Sequence, residues 1–326
     1  MRVLMISTDR LIFDPGSQVS ARLAKLAAKI GDLRIIVWSK PWQTFDLAML
    51  KNIDLITCQD PFLTGLIGLI LKKFLNLPLE LQLHTDVLAP NFRQFNFKNL
   101  VYYWLAKNLL PRANLVRVVS EKLKCSLIEA NLVKSEQIYV LPIFVEEVTA
   151  VKPSWFTLIP TDTKVVLSVG RLESEKRLFL ALEALNLLTD KKIMLVIVGV
   201  GSEFKKLKNL TTKLNLTERV IFAGRLTPAE LAGSYQAVQV LLHTAAYEGY
   251  GLVLAEAAQT GLPIVSTDVG IAREVGALIV PAEPVELAVA LEQQLLSSQP
   301  TSFRPISTQV YLTTIFNHWS QLVVSV

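Results

Sequence analysis

With 326 residues, 51% of them hydrophobic and 19% charged, the chain has apolar material for two cores, which excludes a disordered or collagen-like polymer and a single small binding module. The formal net charge of +5 is unevenly spread, since residues 1–150 carry 18 basic and 13 acidic side chains and residues 151–326 carry 15 of each. That balance favours acidic partners such as phosphates or anionic lipid for the first half and excludes a dense nucleic-acid-binding stripe. Cys58 and Cys125 lie far apart with no zinc-ligand spacing, so the reading excludes a disulfide framework or metal cluster and expects a reducing cytoplasm. The apolar start, Val3 to Ile6, is interrupted by Ser7, Asp9 and Arg10, too short for a signal-peptide core. The greasy stretch from Leu63 to Leu71 ends at Lys72 and Lys73, well short of the ~20 residues that span a bilayer.

Short runs rich in Val, Ile and Leu alternate with amphipathic segments, the rhythm of strand–helix units closing parallel sheets. In the first half the strands are expected at Val3–Ser7, Arg34–Trp38, Ile53–Thr57, Leu79–His84, Leu115–Val119 and Ile138–Leu141. The loop after the first strand holds Asp14-Pro15-Gly16-Ser17, where Gly16 lets backbone approach a phosphate or an acceptor. Val19, Leu23, Leu26, Ala27 and Ile30 recur at helical spacing, and Gly31 is the C-terminal stop. His84 ends a buried strand, with Asp86 near enough in sequence to orient its ring; a lone histidine there is either structural or functional. Arg93, Lys98, Tyr102, Tyr103, Trp104, Lys107 and Arg112 mix cations with interfacial aromatics. They read either as an amphipathic helix with solvated lysines or as a segment resting on an anionic membrane surface that presents a lipid-linked glycan. The domain boundary is expected between Glu146 and Thr163, where Pro153 and Pro160 interrupt both patterns.

The second half repeats the rhythm at Val165–Val169, Ile193–Val198, Val220–Phe222, Val238–His243, Pro263–Thr267 and Ala277–Val280. After its first strand, Gly170-Arg171-Leu172-Glu173 leads into a helix expected to be capped by Ser174, with Glu175-Lys176 following. Arg171 and Lys176 there suit a diphosphate, or else form an ordinary solvated helix start. Gly199-Val200-Gly201 follows the next strand but lacks the third glycine of a dinucleotide fingerprint, which counts against a dehydrogenase. Gly224 and Arg225 line a nucleobase slot or cap a turn, and Thr227-Pro228-Ala229-Glu230 spells an N-cap, a proline at N1 and a capping box. The densest cluster runs from Tyr247 to Glu256. Glu248 precedes a helix and Glu256 lies two turns inside it, so the two carboxylates read either as reaching different parts of one elongated ligand, with the amides of Gly249 to Val253 presenting an anion site between them, or as a salt-bridged Glu256 and a solvated Glu248. His243 and His318 read as packing residues, and no Asp-x-Asp pair announces a metal. Ser297 to Pro305 reads as a polar linker, and Thr308 to Val326 is expected to form a last helix that packs back across the domain junction.

Gly170-Arg171-Leu172 with Glu175-Lys176, the Glu-x7-Glu spacing from Glu248 to Glu256, and Gly261-Leu262-Pro263-Ile264-Val265 together resemble the family 4 retaining glycosyltransferases over nearly the whole chain. The resemblance implies the GT-B fold: two Rossmann-like, doubly wound α/β parallel-sheet domains facing across a cleft. It implies an acceptor-side domain at 1–150, a donor domain at 151–305 and a C-terminal helix at 306–326. It further implies a nucleotide-diphosphate sugar as donor, a glycan or lipid-linked acceptor in cell-surface polysaccharide or glycolipid synthesis, and no metal or other cofactor. By resemblance Arg171 and Lys176 hold the diphosphate, Glu256 the ribose, and Glu248 and His84 the sugar. Gly16 belongs to the loop near the donor phosphates, Arg225 and Leu226 border the base, the amides of Tyr250, Gly251 and Leu252 complete the cradle, and Gly199 and Gly249 are expected to bind the donor as well. The chain departs from the family pattern at Pro15-Gly16-Ser17-Gln18, which replaces a Gly-Gly pair, and at Pro142-Ile143-Phe144-Val145-Glu146, which replaces Pro-Asn-Gly-Val-Asp. A nucleotide-sugar-binding protein that has lost turnover is the alternative reading.

Overall fold

The computed structural model describes residues 1–15, 17–38, 46–146, 148–297, 299–301 and 303–325. The chain divides into two units, Met1–Phe144 with Ile306–Val326, and Val145–Pro305.

The first unit carries strands β1 (Arg2–Ser7), β2 (Asp32–Val37), β3 (Leu55–Cys58), β4 (Leu79–Leu83), β5 (Leu115–Val118) and β6 (Ile138–Val140) in the order β2-β1-β3-β4-β5-β6. Every pairing between them is parallel. Its helices are α1 (Gln18–Ile30), α2 (Leu63–Leu75), α3 (Pro90–Phe95), α4 (Phe97–Leu109), α5 (Glu121–Glu129) and α11 (Thr308–Val324), the last of these far along the chain. Because side chains alternate along a strand, the sheet presents two faces. Val3, Met5, Leu55, Leu115 and Tyr139 form one, covered by Leu23, Leu26 and Ile30 of α1 and by Leu312, Ile315 and Trp319 of α11. On the other, α2 settles so closely that a Cβ on Gly68 would collide with the Cys58 sulfur and approach Leu79 to 2.9 Å.

The second unit has β7 (Lys164–Val169), β8 (Ile193–Val198), β9 (Val220–Gly224), β10 (Val240–His243), β11 (Ile264–Ser266) and β12 (Leu278–Ile279) in the order β12-β11-β10-β7-β8-β9, again all parallel. Helices α6 (Leu178–Leu187), α7 (Phe204–Lys213), α8 (Pro228–Ala237), α9 (Leu252–Gln259) and α10 (Pro284–Ser297) flank it. Its core gathers Val166, Leu195, Leu242 and Val265 from the strands with Leu182, Leu185, Leu287 and Leu291 from α6 and α10. The helix start read at Thr227 has the expected chemistry: Thr227 Oγ1 accepts from the Glu230 amide at 3.3 Å, and Glu230 Oε2 accepts from the Thr227 amide at 3.0 Å. The start read at Ser174 does not. Ser174–Lys176 is a single 3-10 turn, Arg177 follows in the left-handed region at φ 48, and α6 begins only at Leu178.

Candidate active site

In an open parallel sheet, ligands bind beyond the carboxyl ends of the strands where the strand order reverses. In the second unit that point lies between β7 and β10. The loops around it are laced together. Gly170 N donates to Val198 O at 3.0 Å, Leu172 N to Val200 O at 3.0 Å, and Gly199 N to Gly224 O at 2.7 Å. Gly199 is at φ 140, and a Cβ there would run into the Gly170 carbonyl. This glycine is therefore required by one loop lying on another, whatever a ligand does.

The loops after β7 and β10 are stapled harder still. Arg177 Nε donates to Thr244 O at 2.9 Å and Nη2 to Ala245 O at 2.7 Å, while Thr244 Oγ1 donates to Lys176 O at 2.7 Å and Ala246 N to Glu175 O at 2.7 Å. Held this way, Lys176 runs its stem over Gly170, 3.6 Å from the position of a Cβ, and its ammonium pairs with Glu248 Oε1. His243, the last residue of β10, brings Nε2 to 3.4 Å from the same oxygen. Lys176, Glu248 and His243 are 14%, 19% and 4% exposed respectively, so the charges of the Lys176–Glu248 pair are little screened. Burial alone would raise the Glu248 pKa, but His243 and Lys176 outweigh it and hold the carboxyl at about 2.

Beside this cluster begins α9. Gly251 sits at φ 84 as its N-cap, Leu254 N already turns to Gly251 O at 2.8 Å, and the amides of Leu252 and Val253 occupy the first turn, where a helix has no acceptor of its own to offer. Gly249, Tyr250 and Gly251 are buried and Leu252 half-buried. The Tyr250 carbonyl accepts from Ile271 N at 2.9 Å, its hydroxyl meets no partner among the described residues, and burial pushes the phenol up. Further along α9, half-buried Glu256 accepts from the Tyr235 hydroxyl at 2.8 Å.

The other residues read from the sequence stand outside this cluster. Arg171 is 73% exposed and donates from Nη2 to Glu175 Oε1 at 2.7 Å, so its partner is Glu175, whereas Lys176 pairs with Glu248. Arg225 is exposed and Leu226 half-buried just past β9 at the edge of the sheet. Gly16 lies outside the described residues. His243, read as a packing residue, belongs to the cluster; its signal was a polar side chain on the last position of a buried strand, where ligands bind. Arg177 had no such signal, because its role depends on a left-handed turn that only the structure shows.

In the first unit His84 follows β4 and is half-buried. Asp86 does not orient it: its Oδ1 accepts from the amides of Leu88 and Ala89 at 3.2 and 3.0 Å. The ring's partner is Gln82, whose Oε1 lies 3.2 Å from Nε2. Gln82 belongs to a buried polar ladder on the α11 side of the sheet. Its Oε1 also accepts from Arg117 Nη1 at 3.1 Å, and its amide donates to Thr57 Oγ1 at 3.0 Å and Glu80 Oε2 at 3.2 Å. Glu80, fully buried, further accepts from Thr57 at 2.6 Å, from the Tyr139 hydroxyl at 2.6 Å and from Trp319 Nε1 at 2.8 Å. Burial, with Arg117 and Arg22 adding positive charge, lowers the His84 pKa to about 3.

Comparison with known proteins shows what the chain is similar to. The family description "Glycosyl transferases group 1" matches residues 153–302, and "Glycosyltransferase Family 4" matches residues 19–147. A D-inositol 3-phosphate glycosyltransferase of Corynebacterium diphtheriae is 34% identical over 157 residues, 44% of this chain and 36% of that protein. An alpha-monoglucosyldiacylglycerol synthase of Streptococcus pneumoniae is 24% identical over 249 residues, 69% of this chain and 54% of that protein. The chain thus spans from about a third to about half of the length of these curated relatives. Anabaena HepE, solved with UDP and glucose, superposes with a TM-score of 0.75 over 98% of this chain and 100% of that one; at 21% identity the likeness is one of fold. With both units matched by its descriptions and the GT-B architecture shared, the chain belongs to the family 4 glycosyltransferases.

Proposed function

We propose that this protein is a retaining glycosyltransferase that moves a sugar from a nucleotide-diphosphate donor to a glycan or lipid-linked acceptor in polysaccharide or glycolipid assembly. The observation that carries the reading is the convergence of Lys176, Glu248, His243 and the N-terminus of α9 at the strand-order reversal of the second unit. HepE binds UDP and UDP-glucose, and a curated relative is named for a glucosylated diacylglycerol product, which supports this donor and acceptor chemistry.

In this reading the bond between the anomeric carbon and the phosphate oxygen breaks, and charge gathers on the departing diphosphate. Lys176 and the amides of Leu252 and Val253 neutralise it, so the role does not fall to a cofactor. Arg171 adds a guanidinium by leaving Glu175. The released phosphate oxygen takes the proton of the acceptor hydroxyl, which attacks the anomeric carbon from the same face, and the nucleoside diphosphate departs. Glu248 stays ionised, so it is not a proton donor: it aims Lys176 and accepts a hydroxyl of the donor sugar. Glu256 takes the ribose, Arg225 and Leu226 the base, and His84 a sugar hydroxyl. Gly199 lets backbone lie near the phosphates, a part that the resemblance also gives to Gly16.

A panel of nucleotide sugars, screened first for thermal stabilisation and then for acceptor-dependent release of nucleoside diphosphate, tests the proposal. Stabilisation with release is the expected result. Stabilisation without release from any glycan or glycolipid acceptor would identify a binding protein instead, and no stabilisation by any donor would overturn the reading altogether.

A further inference from the structure

Helices α2 and α4 lie on the same face of the first sheet. A Cβ on Gly65 of α2 would touch Leu81 of β4 at 3.4 Å and Leu109 of α4 at 3.5 Å, and Phe62, at the head of α2, stacks on Tyr102 of α4 with centroids 4.1 Å apart and planes 7° apart. The sides facing the sheet hold small or buried residues: Thr64, Gly65 and Gly68 on α2, and Asn99, Ala106 and Leu109 on α4. Both outer sides are apolar. On α2, Leu63, Leu66, Ile70 and Phe74 recur at three- and four-residue steps and are 42%, 39%, 47% and 82% exposed. On α4, Phe97, Leu100, Val101 and Trp104 do the same at 78%, 38%, 39% and 55%. Two neighbouring helices with eight large apolar side chains turned to water form a patch of the kind that marks an interaction surface.

Along the segment that forms the patch the exposed charge has one sign. Between residues 61 and 112 the cations are Lys72, Lys73, Arg93, Lys98, Lys107 and Arg112, and the only carboxylates, Glu80 and Asp86, are 0% and 6% exposed. Asp60, at the border, is spent on the Phe62 amide at 2.9 Å. Lys98 lies over the Tyr102 ring at 5.2 Å and Lys107 over Trp104 at 5.8 Å, so ammonium groups sit against aromatic faces beside the apolar stripe, as they do where protein meets lipid headgroups. Among the described residues no helix is long and apolar enough to cross a membrane. A surface of this composition suits the interface of a bilayer.

We propose that the outer faces of α2 and α4 form one docking surface for an anionic bilayer, with Phe74, Phe97 and Trp104 among the headgroups and the surrounding lysines and arginines on lipid phosphates. This names the partner surface for the lipid-linked acceptor of the proposed function, on which it rests for its purpose, while the binding itself needs no donor. Flotation with vesicles of phosphatidylglycerol and phosphatidylcholine, against phosphatidylcholine alone, tests it. The protein should float with the anionic vesicles only. Ile70→Ser with Phe74→Ser, and separately Phe97→Ser with Trp104→Ser, should each lower the bound fraction at least about tenfold with an unchanged melting temperature, since these side chains are exposed. Lys98→Glu with Lys107→Glu should lower it by about fivefold or more for each cation removed. The proposal is overturned if the protein stays down with anionic vesicles at about 0.05 M salt, or if neither apolar pair matters. It is also overturned if the apolar pairs instead abolish a lipid-independent dimer seen by sedimentation. Flotation without nucleoside diphosphate release from any donor would leave the docking surface standing and sink the proposed reaction.

Discussion

Each sheet has six parallel strands and one reversal of strand order, between β1 and β3 in the first unit and between β10 and β7 in the second. In the second unit the charged groups sit beyond the strands, on loops: Lys176 and Glu248 meet there, against His243 at a strand's last position. In the first unit they run inside the sheet, with Glu80 on β4 and Arg117 on β5 joined by the neutral Gln82, all at most 3% exposed. The buried charges are already occupied: Thr57, Gln82, Tyr139 and Trp319 all donate to Glu80, which thereby ties β4 to α11. Loop charge in this chain is placed where a ligand could take over its partners, whereas strand charge is committed to holding a distant helix on the sheet.

The contrast breaks if Glu80 proves dispensable. Glu80→Ala leaves the Tyr139 hydroxyl and the Trp319 indole N–H buried without their acceptor, and should cost about 3–5 kcal/mol in urea unfolding. A loss below about 1 kcal/mol would mean that the ladder does not hold α11. Lys176→Ala should show the reverse profile. We expect stability to fall by only about 1–2 kcal/mol, because one hydrogen-bonded ion pair is lost, while acceptor-dependent nucleoside diphosphate release falls about 100- to 1,000-fold.

The pH dependence of that stability difference sharpens the comparison. The Glu248 carboxyl is lowered from 4.5 to about 2 in the folded protein, so its pairing stabilises fully above about pH 4.5 and is lost as pH falls toward 2. The gap in unfolding free energy between wild type and Lys176→Ala should therefore be constant above that range and close below it. A gap that stays unchanged as the pH falls to about 2 would show that the Lys176 pair is not what holds the carboxyl down. A smaller effect is expected at Glu256, which already accepts from Tyr235. Glu256→Gln keeps that bond and weakens a ribose contact made equally in ground and transition states, so the donor Michaelis constant should rise about tenfold with kcat within about twofold.

What was legible in the sequence follows the same division. Strands buried on both faces read as short apolar runs, and β8 is recovered at its expected bounds, Ile193–Val198. The capping box links Thr227 to Glu230, three positions on, and was equally plain. The chemistry at Lys176 and Glu248 was visible as loop motifs, but their mutual pairing spans 72 positions and no local pattern encodes it. The start of α6 was misplaced because Ser174 and Glu175 look like a cap, whereas the Arg177 staple to Thr244 and Ala245 delays the helix to Leu178. The polar ladder was invisible for a physical reason: Glu80 and Gln82 lie inside an apolar run, and what makes them tolerable there is Trp319, contributed from 239 residues away.

The smallest expected effect is the position of one proton, and it decides to which side of the comparison His84 belongs. Arg117 has only donors to offer, and it reaches Gln82 Oε1; Thr57 Oγ1 and Glu80 Oε2 receive the other end of the same amide. Flipping the amide would set N–H against N–H and oxygen against oxygen, so Oε1 must be what faces His84 Nε2 at 3.2 Å. The ring then carries its hydrogen on Nε2 and keeps a lone pair on Nδ1, and with its pKa held near 3 by burial, Arg117 and Arg22, it is neutral. An acceptor nitrogen of that kind suits a sugar hydroxyl and not a phosphate. The chain has three histidines, so ring-¹⁵N-labelled protein, assigned with His243→Asn and His318→Asn, should show a protonated Nε2 and an unprotonated Nδ1 for His84, unchanged from about pH 8 to about pH 5. Gln82→Met should erase the tautomer preference without moving the strand. A hydrogen on Nδ1, or titration near the ordinary 6.5, would show that the ladder ends at Gln82 and that His84 is not positioned by it.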